Sequence, residues 1–368
     1  SPLPDQIEGA PHPRETLTLF GQDAAQVSFL NAYGDGRLHH AWLLSGPRGV
    51  GKATLAWRIA RFLLATPPAQ DDGLFGAPPP PTSLDIAPDH PVARRIAAGS
   101  EPGLKAITRS PNPKTERLRD QIVVDDIRAL AGFFQLSATD GGRRVVIIDA
   151  ADDMNISAAN ALLKMLEEPP ANATLLLISH QPSSLLPTIR SRCRTLRLTP
   201  LAPDDMERAM AQAGVEASAQ NAALTELSGG SVGGAMALSL LGGQDIYAEL
   251  VALLSTLPQL DRARALKLAD TVTARGAEAK QALLFDLLDI LLARLARAGA
   301  TGTPPEVQAA KGEATMLVRL SQNPRQGRAW ADAAAEISER ARHGRAVNLD
   351  PAALILDTLF KIQQTAGA

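Results

Sequence analysis

Residues 46–54 read GPRGVGKAT, and this stretch decides how the first half of the chain folds. Gly46, Gly51 and Lys52 fit the spacing Gly-x-x-x-x-Gly-Lys of a phosphate-binding loop. Glycines at these positions and at Gly49 allow backbone N–H groups to approach phosphate oxygens closely. Lys52 would then reach the outer phosphates of a nucleotide, so these four residues form a candidate cofactor-binding site.

The segments on either side of the loop support this interpretation, but the last position of the pattern does not. Residues 41–44, AWLL, predict a buried strand, and the apolar spacing in residues 55–64 predicts a helix. The pattern requires Ser or Thr after the lysine to bind Mg²⁺, and Ala53 stands there. Thr54 lies about 100° further round the helix and cannot replace it. The loop is therefore either retained for its shape alone or still able to hold a nucleotide or phosphate.

Composition narrows the class of protein. A length of 368 residues predicts two or three domains, and 45% hydrophobic residues are enough for their cores. The net charge of -2 excludes an overall basic nucleic-acid-binding protein, although a local basic patch is compatible with it. The single cysteine, Cys193, excludes a disulfide framework and a cysteine-built zinc site. The most apolar helical run, residues 281–297, contains charged side chains, and no signal peptide is visible, so we expect a soluble cytoplasmic protein.

Further strand and helix patterns predict a parallel sheet with helices on both faces. Residues 145–148 are four consecutive β-branched apolar residues that end at Asp149, which is typical of a central parallel strand. The remaining predicted strands are 174–179, 195–198 and 122–124, and helices such as 155–168 alternate with them. The sequence therefore predicts an α/β fold for this part of the chain.

Shifts in composition predict three domains. Residues 1–199 would form the α/β domain, with the Pro-rich stretch 66–112 as a long insertion. Beyond that domain only helical patterns occur. A Gly-Gly break divides them into a small helical domain, residues 200–243, and an all-helical domain, residues 244–368.

Four motifs in a fixed order carry a family resemblance. They are RLHHAW at 37–42, the phosphate loop, NALLKMLEEPP at 160–170 and SRC at 191–193. Together they resemble the clamp-loader subunits of bacterial DNA polymerase III, which belong to the AAA+ superfamily. The resemblance covers about residues 20–198 and implies an AAA+ fold, with the two helical domains as a lid and a collar.

Departures from the family pattern indicate which kind of subunit this chain resembles. The resemblance places Asp149 at the end of the second metal-site motif and Ser179 at the first-sensor position. In the motor subunits of the family a glutamate follows the aspartate, whereas here Ala150 follows it. The motor subunits also carry an arginine where this chain has Gly233. With Ala53, three catalytic groups are missing, so the chain resembles a stator subunit that does not hydrolyse ATP.

The arginine of the SRC motif is the candidate catalytic residue. In this family it projects across a subunit boundary towards a neighbour's ATP, so the resemblance implies that Arg192 acts in trans as an arginine finger. The implied partners are gamma or tau and delta subunits in a five-membered ring, and the sliding clamp and primed DNA through that ring. No cofactor is required, although the loop could still hold a nucleotide or phosphate, and no zinc or membrane contact is expected. The four-cysteine zinc module common in relatives is replaced by the Pro-rich insertion.

Other interpretations remain open at this point. The chain could be an active motor ATPase of the gamma or tau kind with unusual metal ligation. It could also be an unrelated phosphate-loop kinase, although the SRC motif and the helical second half argue against one. Arg192 could be an exposed charge among Arg190, Arg194 and Arg197, and this arginine cluster could contact DNA phosphates or only solvent.

Overall fold

A five-stranded parallel sheet forms the centre of the N-terminal half of the chain in the computed structural model. The strand order is β2-β3-β4-β1-β5, and every neighbouring pair is parallel. Parallel neighbours require crossover connections, so helices alternate with the strands along the chain. The strands are β1 (Ala41–Ser45), β2 (Leu104–Ile107), β3 (Arg144–Ile148), β4 (Ala173–Ser179) and β5 (Arg194–Arg197).

The structure describes residues 6, 10–66, 79–135, 142–215, 221–274, 277–346 and 349–367. Residues 67–78 of the predicted insertion lie outside the described part of the chain. So do residues 216–220 of the predicted lid.

Helices cover both faces of the sheet. They are α1 (Asp23–Gly34), α2 (Lys52–Ala65), α3 (Pro91–Ala97), α4 (Val124–Gln135), α5 (Ile156–Glu167), α6 (Pro187–Ser191) and α7 (Pro203–Gln212). Side chains alternate along each strand, so Leu43 and Leu175 share one core with buried residues of α4, α5 and α6. On the other face the ring of Trp42 lies 5.0 Å from the ring of Phe29 in α1.

Two sequence-based predictions about strands were wrong. Residues 122–124 do not form a strand: Ile122 makes one isolated bridge to Met154, and α4 begins at Val124. The reason is a local cap, because the carboxylate of Asp126 accepts a hydrogen bond from the N–H of Val123 at 2.9 Å. The predicted insertion, in turn, contains β2. That strand is a partly exposed sheet edge paired with β3, so its sequence, LKAI, shows no buried apolar run.

The chain divides into two compact units. The sheet unit is Ser1–Gly214 with Gly230–Gly233, and the helical unit is Val215–Gly229 with Gly234–Ala368. The later helices are α8 (Asn221–Ser228), α9 (Val232–Leu241), α10 (Gly243–Leu254), α11 (Arg262–Thr273), α12 (Glu278–Thr301), α13 (Glu313–Leu320), α14 (Pro324–Ala346) and α15 (Pro351–Gly367). The predicted fold class is confirmed as far as a parallel α/β sheet followed by helices. Membership of the AAA+ superfamily remains a prediction. The separate boundaries of a lid and a collar remain predictions.

The helical unit contains a buried ion pair between Arg294 of α12 and Glu313 of α13. Nε of Arg294 donates to Oε1 of Glu313 at 2.7 Å, and the Glu313 side chain is fully buried. Tyr247 Oη donates to the same oxygen at 2.6 Å, and the N–H of Ala309 donates to the other oxygen at 2.6 Å. Arg294 Nη1 also donates to Glu226 in α8 at 2.6 Å. Burial, followed by the bond to Glu313, raises the pKa of Tyr247.

Within the described ranges, no single helix is both long and apolar enough to cross a membrane. One bent pair, Val232–Leu241 with Gly243–Leu254, passes that test by length and composition only when its two helices are taken together.

Candidate functional site

The phosphate loop lies where the sequence predicts it, between β1 and α2. The φ values of Gly46, Gly49 and Gly51 are 147°, 73° and 100°. Residues other than glycine rarely adopt such values. A Cβ at Gly46 would also lie 2.4 Å from the carbonyl oxygen of Leu198. The loop therefore keeps its special backbone geometry although its last motif residue is changed.

Lys52 points back into its own loop. Its ammonium donates to the carbonyl oxygen of Gly46 at 2.7 Å and also to that of Pro47. The residue is only 3% exposed, and this burial lowers the pKa of Lys52 to about 8, although Asp149 and Asp152 act in the opposite direction. Two of the three ammonium protons are thus held by loop carbonyls where a nucleotide phosphate would otherwise accept them.

A second segment of the sheet unit lies against the same loop. The hydroxyl of Ser231 donates to the carbonyl oxygen of Arg48 at 2.9 Å, and the N–H of Gly233 donates to that of Gly49 at 3.2 Å. A Cβ at Gly49 would lie 2.3 Å from the Ser231 hydroxyl oxygen. The backbone of Gly233, the position at which the sequence analysis expects an arginine in motor subunits, therefore contacts the loop directly.

Several predicted residues meet at the carboxyl ends of the strands. Lys52 follows β1, Asp149 follows β3 and Ser179 ends β4. All three therefore lie at the carboxyl end of the sheet. The backbone N–H of Asp149 donates to Ile107 at 2.9 Å. Ala150 beside it has no polar side chain that could activate water. The arrangement brings a lysine and a carboxylate together but lacks the usual hydrolytic base.

Asp152 connects several groups at the carboxyl end of the sheet, and the sequence analysis did not predict this role. Its carboxylate accepts hydrogen bonds from the Ser179 hydroxyl at 2.7 Å and from the backbone N–H of His180 at 2.5 Å. The Ser184 hydroxyl lies 3.4 Å from the same carboxylate. Ser179, which the sequence analysis places at the first-sensor position, is thus bonded within the chain. The sequence contains one indication of this role, because Asp152 lies only three residues after Asp149 and the end of β3.

His180, at the carboxyl end of β4, has a lowered pKa that keeps its ring neutral near pH 7. Burial, with smaller contributions from Lys52 and Arg48, lowers the pKa of His180 to about 4. Its Nδ1 atom is buried without a hydrogen-bond partner among the described residues. Protonating this ring would place a further positive charge beside a buried lysine.

We expect His180 to make the folded chain less stable in acid. The unfolded ring binds a proton below about pH 6.5 and the folded ring only near pH 4, so the free energy of unfolding should fall as pH drops between them. The contribution is at most about 3 kcal/mol. Urea unfolding of the natural chain and of His180→Gln at several pH values measures it. Identical pH dependence in the two proteins would contradict the assignment.

Arg192 lies at the other end of the strands, where their amino ends are. It comes two residues before β5, at the amino end of that strand, and β5 pairs in parallel with β1 so that Ser45 is opposite Arg197. The phosphate loop leaves the carboxyl end of β1. The amino and carboxyl ends of these strands are about 15 Å apart, at about 3.3 Å per residue. Arg192 is therefore placed away from its own chain's phosphate loop.

The Arg192 side chain is partly exposed and bonded within the chain. Nη2 lies 2.9 Å from Oε1 of Glu167, and Nη1 donates to the carbonyl oxygen of Thr188 at 3.1 Å. The arginine side chain is 36% exposed and the Glu167 side chain 51% exposed. Its neighbour Cys193 packs against the core, and burial raises the pKa of that thiol to about 12.

Metal binding has no support among the described residues, where no group of three His, Cys, Asp or Glu side chains could hold an ion. The absence of zinc remains a prediction that elemental analysis can test.

Comparison with known proteins identifies relatives of the sheet unit. Residues 21–202 match the family model described as DNA polymerase III, delta subunit. The chain is 42% identical over 154 residues to the DNA polymerase III subunit delta' of Pseudomonas aeruginosa, covering 42% of this chain and 41% of the relative. It is 33% identical over 171 residues to that of Bacillus subtilis, covering 46% and 45%. It is also 31% identical over 189 residues to the subunit tau of Salmonella typhimurium, covering 51% and 26%. Each match spans less than half of the relative's length.

Proposed function

We propose that this chain, whose residues 21–202 match the family model described as DNA polymerase III, delta subunit, is the delta-prime stator of a clamp loader. In this role it joins gamma or tau and delta subunits in a five-membered ring in the cytoplasm. The ring loads the sliding clamp onto primed DNA. The chain does not hydrolyse ATP itself but gives Arg192 to the active site of a neighbouring subunit.

The placement of Arg192 carries this proposal. The phosphate loop lies at the carboxyl ends of the parallel strands, and Arg192 lies at their amino ends. A guanidinium in that position cannot stabilise charge on a phosphate held by its own loop. It can do so for a nucleotide held by a neighbour, where an arginine finger is worth about 10³–10⁵ in rate.

The changed phosphate site supports the non-hydrolysing part of the proposal. Ala53 supplies no hydroxyl for Mg²⁺, Ala150 supplies no base and Gly233 supplies no cation. Lys52 donates to its own loop, and Ser179 donates to Asp152. The site needs no bound nucleotide or metal to satisfy these groups. A motor ATPase of the gamma or tau kind is the competing interpretation, because the lysine and Asp149 are retained.

We expect no Mg²⁺-dependent ATP turnover by the isolated chain, because three hydrolytic groups are absent. The measurement compares the natural chain with Lys52→Ala, which removes the ammonium from the loop. Equal, background-level turnover in both proteins is the expected result. Turnover in the natural chain that Lys52→Ala abolishes would favour the motor ATPase.

A further inference from the structure

The ion pair between Arg192 and Glu167 joins the ends of two helices. Glu167 is the last residue of α5, and Arg192 caps the C-terminal end of α6. One terminal nitrogen of the guanidinium contacts the carboxylate at 2.9 Å, and the other donates to Thr188, four residues earlier in the chain, at 3.1 Å. The guanidinium is therefore fixed at two points on two different elements.

These two contacts leave part of the guanidinium available. An arginine carries five N–H donors in a planar fork, and the two contacts need only one from each terminal nitrogen. The side chain is also 36% exposed, so solvent or another molecule can reach it. The guanidinium can donate to a phosphate without giving up either contact.

We propose that Glu167 is a positioning residue for Arg192. This inference rests on the proposed function, in which Arg192 contacts the nucleotide of a neighbouring subunit. Glu167 holds the guanidinium plane against the end of α5 before that subunit binds its nucleotide. An unrestrained arginine has many rotamers and loses this freedom when it docks. The ion pair removes part of that loss in advance, so it increases the rate at the neighbour's site without touching the nucleotide.

The expected effect is small but measurable. Both side chains are exposed, and exposed ion pairs are weak because water and salt screen them. Loss of the carboxylate should therefore slow the reaction at the served site about two- to fivefold. Glu167→Gln keeps an oxygen that accepts a hydrogen bond but has no charge, so its rate should fall between those of the natural chain and Glu167→Ala.

The test is ATP turnover by the assembled clamp loader, stimulated by clamp and primed DNA. The share of turnover that Arg192→Ala removes defines the activity to which Glu167 can contribute. Glu167→Ala and Glu167→Gln are measured against this share, with Glu168→Ala as a matched control. Glu168 is the next residue, is equally charged and is exposed. Assembly is checked by mass for every variant.

A reduced share with Glu167→Ala, an intermediate value with Glu167→Gln and no change with Glu168→Ala are expected. The double variant with Arg192→Ala should be no slower than Arg192→Ala alone, because a positioning residue has nothing left to position. Unchanged or increased turnover with Glu167→Ala, or losses that add in the double variant, would refute the positioning role alone. Unchanged turnover with Arg192→Ala would refute the proposed function, and the positioning role with it.

Discussion

Glu313→Gln should lower the free energy of unfolding by about 3–5 kcal/mol, because it leaves the Arg294 charge buried without its carboxylate. The substitution keeps the volume of the side chain. Its single oxygen cannot replace both carboxylate oxygens, which accept from Arg294, Tyr247 and Ala309. Glu226 is too exposed to neutralise the arginine alone, since its side chain is 35% accessible.

Urea unfolding followed by far-ultraviolet circular dichroism measures this loss. Glu306→Gln is the matched control, because Glu306 is exposed in the same part of the chain. The double change Arg294→Met with Glu313→Leu removes both charges and should recover much of the stability. A loss below about 1 kcal/mol for Glu313→Gln would show that the ion pair is not held as described.

Arg192→Ala should nearly abolish hydrolysis at the one site that Arg192 faces, by about 10³-fold or more. The loss in total ATP turnover should be partial, because the proposed ring has further interfaces at which other subunits would supply their own arginines. Arg192→Lys should restore little, since an ammonium lacks the planar fork that binds phosphate oxygens in pairs. Arg192 is partly exposed and does not belong to a core, so folding and assembly should be unaffected.

The control for this variant is Arg190→Ala, an exposed arginine two residues earlier on α6. Both proteins are assembled with gamma or tau and delta subunits, and assembly is confirmed by mass. Equal turnover in the Arg190→Ala and Arg192→Ala complexes would reduce Arg192 to one surface charge among several.

The features that local chemistry determines could be predicted from the sequence. The phosphate loop needs glycine at positions with positive φ, and Gly49 and Gly51 have it. The strand β3 consists of buried apolar residues, and its sequence shows an unbroken apolar run. Helix α5 begins where the side chain of Asn155 accepts from the N–H of Ala158 at 2.8 Å, as its capping residue type indicates.

The features that depend on distant partners could not be predicted. β2 forms because Leu104 pairs with Val145 of β3, and nothing in its own four residues requires a strand. Asp152 owes its role to Ser179, 27 residues later in the chain. Helix α13 begins only at Glu313, after Gly312 with φ of 81°, a boundary that the helical pattern of this half does not mark. Periodicity reports which residues are buried, but it does not report which buried charge finds a partner.

The ATP turnover of the assembled clamp loader, measured with Lys52→Ala and with Arg192→Ala in this chain alone, tests the central claim most directly. The claim is that the chain supplies an arginine to a neighbour's nucleotide and hydrolyses none itself. The predicted result is unchanged turnover with Lys52→Ala and a clear loss with Arg192→Ala. A loss with Lys52→Ala and none with Arg192→Ala would contradict it and make this chain a motor subunit.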